Sequence, residues 1–346
     1  MRAGAVTIAA VAFLGAAYAF AREPEPQRVG YYPQIFVADR HGKVHRLTHG
    51  HHSHGSPTWA PGGHSLAIFN DGDIEIIAAS GGRVIERLDG GPLGSSNVAW
   101  SPDGRRLALA RYFGGRNGHL TVASPDGGHG RDIAHRAGGR VEWSPDGRTI
   151  YYLHGREPEP DAALKPRDLY AIPSAGGARR RIAANVEEFG GVSPDGRWVV
   201  FTRRPARWFP YGPPLWIART DGSMERLLGD RLNVYRFGWA PGHRGVWVVQ
   251  YRNLHGHPVV VSTHGKVRRL GAKVGIYAFA WSPDGRWMAS SRESGGPSRV
   301  VTSRPDGSDR RVAARFSAPP FVELRYLAWA PGGNRLAIVA YRHDGD

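Results

Sequence analysis

One six-residue phrase limits what this chain can fold into. W-S-P-D-G-R stands at 100–105, 143–148 and 281–286, and at 192–197 with Val192 in place of Trp. A variant, W-A-P-G, begins at Trp59, Trp239 and Trp329. Counted from the Trp position, the copies stand at 59, 100, 143, 192, 239, 281 and 329, between 41 and 49 residues apart. Self-similarity at this period marks an array of supersecondary units, and the four-stranded propeller blade is the unit of that length.

The phrase has a mechanical reading. In S-P-D-G, Ser suits the first turn position, Pro presets φ at the second, and Gly takes a left-handed conformation at the end. This is a three-residue hairpin connection with a bulge. In W-A-P-G, the Pro-Gly pair predicts a type II turn instead. An apolar strand follows each turn, as in Leu107–Ala110, Ile150–Leu153, Trp198–Phe201, Val246–Val249 and Leu336–Val339. The Trp ahead of each turn is placed to pack between neighbouring blades and is given no ligand role.

Before Gln34 lie two segments of different character. Residues 1–21 carry Arg2, an almost wholly small or apolar run from Ala3 to Ala17, and small-x-small sites at Ala17–Ala19 and Ala19–Ala21. That is the pattern of a secretory signal peptide; an uncleaved anchor is the alternative. Residues 22–33 read as a Pro-rich linker. The propeller is expected over 34–346. Gln34–Ala38, a turn, and Lys43–Leu47 match the second half of the later repeats, while Trp329–Tyr341 supplies only a first half. The two halves predict a ring of seven four-stranded blades, closed by the N-terminal strands so that no edge is left open.

The chain has no Cys, which excludes disulfides, thiolate nucleophiles, Cys-based metal sites and a lipid-anchored Cys. An exported fold of this composition rests on its core alone. Formal charge is +16. Only Lys43, Lys165, Lys266 and Lys273 are Lys, so the excess is nearly all Arg. Clusters such as Arg179–Arg181, Arg268–Arg269 and Arg310–Arg311 open the last strand of a blade, where charge guards an edge. No aromatic-interleaved basic groove is visible, so nucleic acid is not an expected partner.

The pattern W-S-P-D-G-R, then strand, D-G-G or D-G-S turn, then R-R-hydrophobic resembles the PD40, or TolB-like (WD40-like), β-propeller repeat. The resemblance covers about residues 34–341 and implies the fold. It leaves six blades as the alternative count, since propellers of that family often have six. TolB proteins carry an α/β domain ahead of the propeller, and this chain resembles them in the propeller alone. The same repeat occurs in prolyl-oligopeptidase-like enzymes, but no G-x-S-x-G elbow is present here.

In this repeat the S-P-D-G and D-G turns share one face of the disc. The other face carries the irregular loops and the links between blades, where function usually sits. Three or four residues before the Trp position stand Asn97, Arg140, Glu188, Tyr235, Arg236, Tyr277, Arg325 and Tyr326. Equivalent positions in a closed ring face one axis. This set is therefore the candidate channel mouth, with Arg140, Arg236 and Arg325 as partners for a carboxylate or phosphate. The competing reading pairs Arg140 and Arg236 with Glu142, Glu187 or Glu188.

Trp208, Phe209 and Tyr211, in a Pro-rich loop, are a candidate aromatic contact surface or a cap over the core beside Val192. A His-rich tract supplies His49, His51, His52 and His54 as candidate ligands for a divalent metal, against the favoured reading of a flexible, partly protonated loop. No cofactor is otherwise expected. The reading that follows is a non-catalytic binding scaffold for a protein or for an anionic glycan or small molecule. It would work in the periplasm, the cell envelope or outside the cell. The alternative is a metal-assisted glycan lyase or hydrolase at the channel mouth. Some polyuronate lyases resemble this repeat class.

Overall fold

In the computed structural model, residues 31–343 are described except 40–41, 51–53, 90–94, 114–116, 129, 156–166, 204–211, 244, 253–254, 276–277, 293–297 and 317–320. The signal segment and most of the linker therefore lie outside the described residues, as does the aromatic loop of Trp208, Phe209 and Tyr211.

The S-P-D-G turns form as their residues dictate. At Ser144–Gly147 the Gly147 amide donates to the Ser144 carbonyl at 2.9 Å, and Gly147 has φ 69°. The Ser144 hydroxyl donates to Asp146 Oδ1 at 2.5 Å, and the Arg148 amide donates to the same oxygen at 3.0 Å. The Thr149 amide then donates back to Ser144 Oγ at 2.9 Å. Ser101, Ser193 and Ser282 repeat the arrangement. Hydrogen bonds from Ser144 and Arg148 hold the Asp146 carboxyl below its usual range, and Ser101 and Arg105 do the same for Asp103.

The W-A-P-G turns differ from the type II expectation at two of three sites. After Trp59 and Trp329 the left-handed glycine is the next one along, Gly63 at φ 69° and Gly333 at φ 67°. Their amides donate to Ala60 and Ala330, as in S-P-D-G. The hairpin twist requires φ > 0 at the fourth position, and a second Gly is available there. Only Gly242, at φ 70°, is left-handed at the predicted place.

The described strands pair antiparallel into five four-stranded sheets and one seven-stranded sheet. The long sheet contains Arg180–Val192, a 13-residue strand. Its first part pairs with Arg167–Pro173 and its second with Trp198–Arg203. We read that sheet as two units sharing one continuous strand, bent at Asn185 with φ 56°. Each unit then runs from an inner strand, which ends at the Trp position, to an outer one.

One sheet joins the chain ends. Tyr31–Asp39 pairs with Arg335–His343 over nine positions, from Tyr31↔His343 to Asp39↔Arg335. Strand structure thus begins at Tyr31, ahead of Gln34, because its partner strand extends to His343.

Seven apolar clusters hold the ring, each spanning two neighbouring units. One joins Ile35, Val37 and Val339 of the closing sheet to Trp59, Leu66 and Ile68. The Trp residues add directed bonds. Each indole Nε1 donates to the residue just before the Trp position of the preceding unit: Trp59 to Ala328 at 2.9 Å, Trp100 to Thr58 at 3.1 Å, Trp143 to Ala99 at 3.0 Å, Trp239 to Gly191 at 2.9 Å and Trp329 to Ala280 at 3.3 Å. Trp281 is different and donates to Gly285 of its own turn at 3.1 Å. There Trp247 sits against Gly238 and packs on Phe279 at 4.9 Å, taking the space an indole would use.

Candidate functional site

The inner strands are bulged shortly before the Trp position. Register shifts fall between Ser95 and Asn97, Gly138 and Val141, Val186 and Glu188, Val234 and Arg236, and Leu324 and Tyr326. A bulge re-aims the side chains beside it. It separates positions that the sequence pattern treats as one group.

The residues three before Trp on three units, Arg140, Arg236 and Tyr326, come within electrostatic reach of one another. Glu188 joins them from a fourth unit; a second register shift between Phe189 and Gly191 gives it the equivalent place. Water reaches this cluster, yet protein encircles it. Burial pushes the Glu188 carboxyl up, against the opposing pull of Arg236 and Arg140. Burial likewise raises the Tyr326 hydroxyl, against Arg140 and Arg236. Desolvation opposes the charge on Arg140, but Glu142, then Tyr326, outweigh it and raise its pKa.

Arg140 is also paired. Its Nη2 lies 2.9 Å and its Nε 3.1 Å from Glu142 Oε2, as the competing reading has it. The other Glu142 oxygen accepts the Val192 amide at 3.1 Å, which fixes the carboxylate and so the guanidinium.

The residues four before Trp on two units turn aside. Arg325 Nε binds Glu323 Oε1 at 2.8 Å, and its guanidinium lies 5.0 Å over the Tyr341 ring. Tyr235 packs on Tyr251 at 6.2 Å. At the bulge, then, Glu323 and Tyr341 hold the Arg325 side chain, while Arg140 and Arg236 act on Glu188 and Tyr326. Asn97 is half-buried on its own inner strand beside the bulge, and Tyr277 lies outside the described residues.

The His tract yields less. His49 is exposed, His51 and His52 lie outside the described residues, and His54 opens the strand His54–Trp59. Among the described residues, no three His, Asp or Glu side chains are grouped so as to hold a metal ion.

Glu142 is the residue that sequence reasoning undervalued. A signal existed. The residue before the Trp position is Thr58, Ala99, Gly191, Gly238, Ala280 or Ala328 elsewhere, and Glu only here.

The fold defines a class: an all-β propeller, similar to TolB-like and WD40-like propellers. The WD domain, G-beta repeat family matches residues 241–296. An uncharacterized Agrobacterium fabrum protein is 24% identical over 214 residues, 59% of this chain and 68% of its own. The uncharacterized peptidase YuxL of Bacillus subtilis is 27% identical over 166 residues, 45% of this chain. This chain spans only 22% of that peptidase. Among solved structures, a TolB protein from Agrobacterium tumefaciens superposes with TM-score 0.54 at 19% identity, covering 90% of this chain and 99% of its own. Hydrazine synthase from Kuenenia stuttgartiensis gives 0.59 at 15% identity, over 84% of this chain and 95% of that one. At these identities the structures share the fold, and function rests on the site.

Proposed function

We propose that this protein is a non-catalytic binding scaffold, exported to the cell envelope or beyond, which holds an anionic group of its partner at the channel mouth. The reading is carried by Arg140, Glu188, Arg236 and Tyr326, which come from four different units and lie within electrostatic reach of one another. Two guanidiniums supply charge and forked donors for a carboxylate or phosphate, and Tyr326 supplies a wall. Propellers of the WD40 type generally serve as protein-interaction scaffolds, so a protein bearing an acidic group is a fitting partner, and an anionic glycan meets the same chemistry. Among the described residues no helix is long and apolar enough to cross a membrane. Export rests on the pattern of residues 1–21.

A thermal-shift panel of uronates, sialates, phosphorylated compounds and acidic peptides identifies a ligand. Arg236→Ala should then weaken it by about 1.5–3 kcal/mol, the scale of a hydrogen bond to a charged group. Arg268→Ala, on an exposed edge strand, should cost under about 1 kcal/mol. Equal small losses from both would mean that the net positive field attracts the ligand, and the reading would fail.

A further inference from the structure

Away from the axis, a groove of about 760 Å³ runs along the outer flank between the second and third units. Among the described residues its lining includes His119, His135, Arg136, His154 and Arg179 and no acidic side chain. The volume lies in the range of small-molecule sites.

Two acids beside it among the described residues, Asp132 and Asp168, are engaged by other groups. Asp132 accepts the Thr121 hydroxyl at 2.6 Å and pairs with His119 Nδ1 at 2.7 Å. That pairing orients His119, whose ring meets His135 edge-on at 4.7 Å. Asp168 accepts the Asn185 amide at 3.1 Å and lies 3.6 Å from Arg181. On the far wall, Arg179 stacks over Tyr170 at 4.9 Å, and the His154 ring lies 5.2 Å from the same Tyr.

Arg136 gives a second, independent observation. It occupies the corner between the strands Arg131–His135 and Ala137–Trp143 at φ 55°. The next two corners carry Asn185 at φ 56° and Asn233 at φ 48°. Asn tolerates this left-handed conformation better than a long side chain does. An Arg held at such a place, facing a cationic groove, is the kind of local strain that clusters at binding sites.

We propose that this groove binds a phosphate monoester of a small molecule, with Arg136 and Arg179 pairing the phosphate oxygens and His135 and His154 donating to it. A doubly charged tetrahedral group suits cations that approach from two walls, and the Tyr170 face leaves room for the organic part. His154 faces Arg136, Arg179, Asp168, Tyr152 and Tyr170. Burial first, then the two Arg residues, lower its pKa. A bound dianion favours its protonated form.

The test is calorimetric titration of the full chain with inorganic phosphate and with glycerol phosphate, alongside histidine imidazole NMR. Both probes should bind at a pH of about 8, where the phosphate is a dianion, with the His135 and His154 signals moving. Arg136→Asn suits the corner and should keep the melting temperature while weakening binding about tenfold. Arg179→Gln should do the same, and both losses should persist in an Arg236→Ala background, which separates this site from the channel mouth; Arg268→Ala, on an exposed edge strand, should leave binding unchanged. If Arg179→Gln fails to fold, Arg136→Asn decides alone. Stronger binding of glycerol phosphate than of inorganic phosphate assigns the pocket to an organic ester; the reverse order sinks the ester and leaves a free-phosphate site. No saturable binding in the millimolar range, or unchanged affinity in Arg136→Asn, would overturn the proposal.

Discussion

The interface between the second and third units and the one between the third and fourth use the same repeat position in opposite ways. At the first, Trp143 lays its indole over Ala99 and donates to the Ala99 carbonyl. At the second, the position is Val192, and Glu142 of the third unit reaches across to accept the Val192 amide at 3.1 Å. Gly191 has φ 118°, a conformation that favours glycine, and a Cβ there would lie 2.7 Å from the Glu142 carboxylate. One interface is closed by a donor reaching back. The other is closed by an acceptor reaching forward, and that acceptor also pins Arg140 in the channel. A departure from the repeat that looks like a weakened core position is thus where the ring gains its fixed axial charge.

Truncation should break this contrast most visibly. Trp143→Ala should cost about 3–5 kcal/mol of stability, because a nearly buried indole and its bond to the neighbouring unit are lost. Val192→Ala should cost about 2 kcal/mol. Chemical denaturation measures both, and similar losses at the two sites would show that the interfaces are equivalent after all.

Restoring the repeat sharpens the contrast at a smaller scale. Val192→Trp alone should cost about 1–3 kcal/mol, since the indole meets Glu142. Adding Glu142→Ala should recover most of that loss, as the partner position is then small, like Ala99. A double-mutant cycle with additive costs would contradict the exchange of Trp for Glu.

The smallest effect is one of pH. Burial raises the Glu188 carboxyl above its ordinary value. The folded state then holds that proton more tightly than the unfolded state, where the pKa is about 4.3. This contribution is fully present below the unfolded value and is lost as pH rises through the raised folded pKa. Glu188→Gln should flatten that part of the stability profile and strengthen anion binding above it. An unchanged pH profile in the Gln variant would place Glu188 outside the cluster.

Local chemistry was legible in the sequence. A six-residue phrase contains its own turn: the Ser–Asp bond, the amides that cap it and the glycine at positive φ all lie within a few bonds of one another. The same logic failed at Pro61 and Pro331, where two consecutive glycines left the choice of left-handed residue to the strands on either side. The matching of Gln34–Leu47 to Trp329–Tyr341 was legible too, because each half exposes an edge that only the other can cover.

The repeat, its turns, the pairing of the chain ends and the apolar position between units can all be read from residue order. The tertiary structure decided which carbonyl each indole meets, and it sent Trp281 back to its own turn because Trp247 already stood in the way. It also decided that a bulge turns Arg325 toward Glu323 and Tyr341 while Arg236 stays near the axis, and that His119, His135, His154 and two Arg residues share one groove. Those encounters join residues of different units. They depend on ring curvature, bulge placement and the reach of long side chains, which no spacing along the chain records.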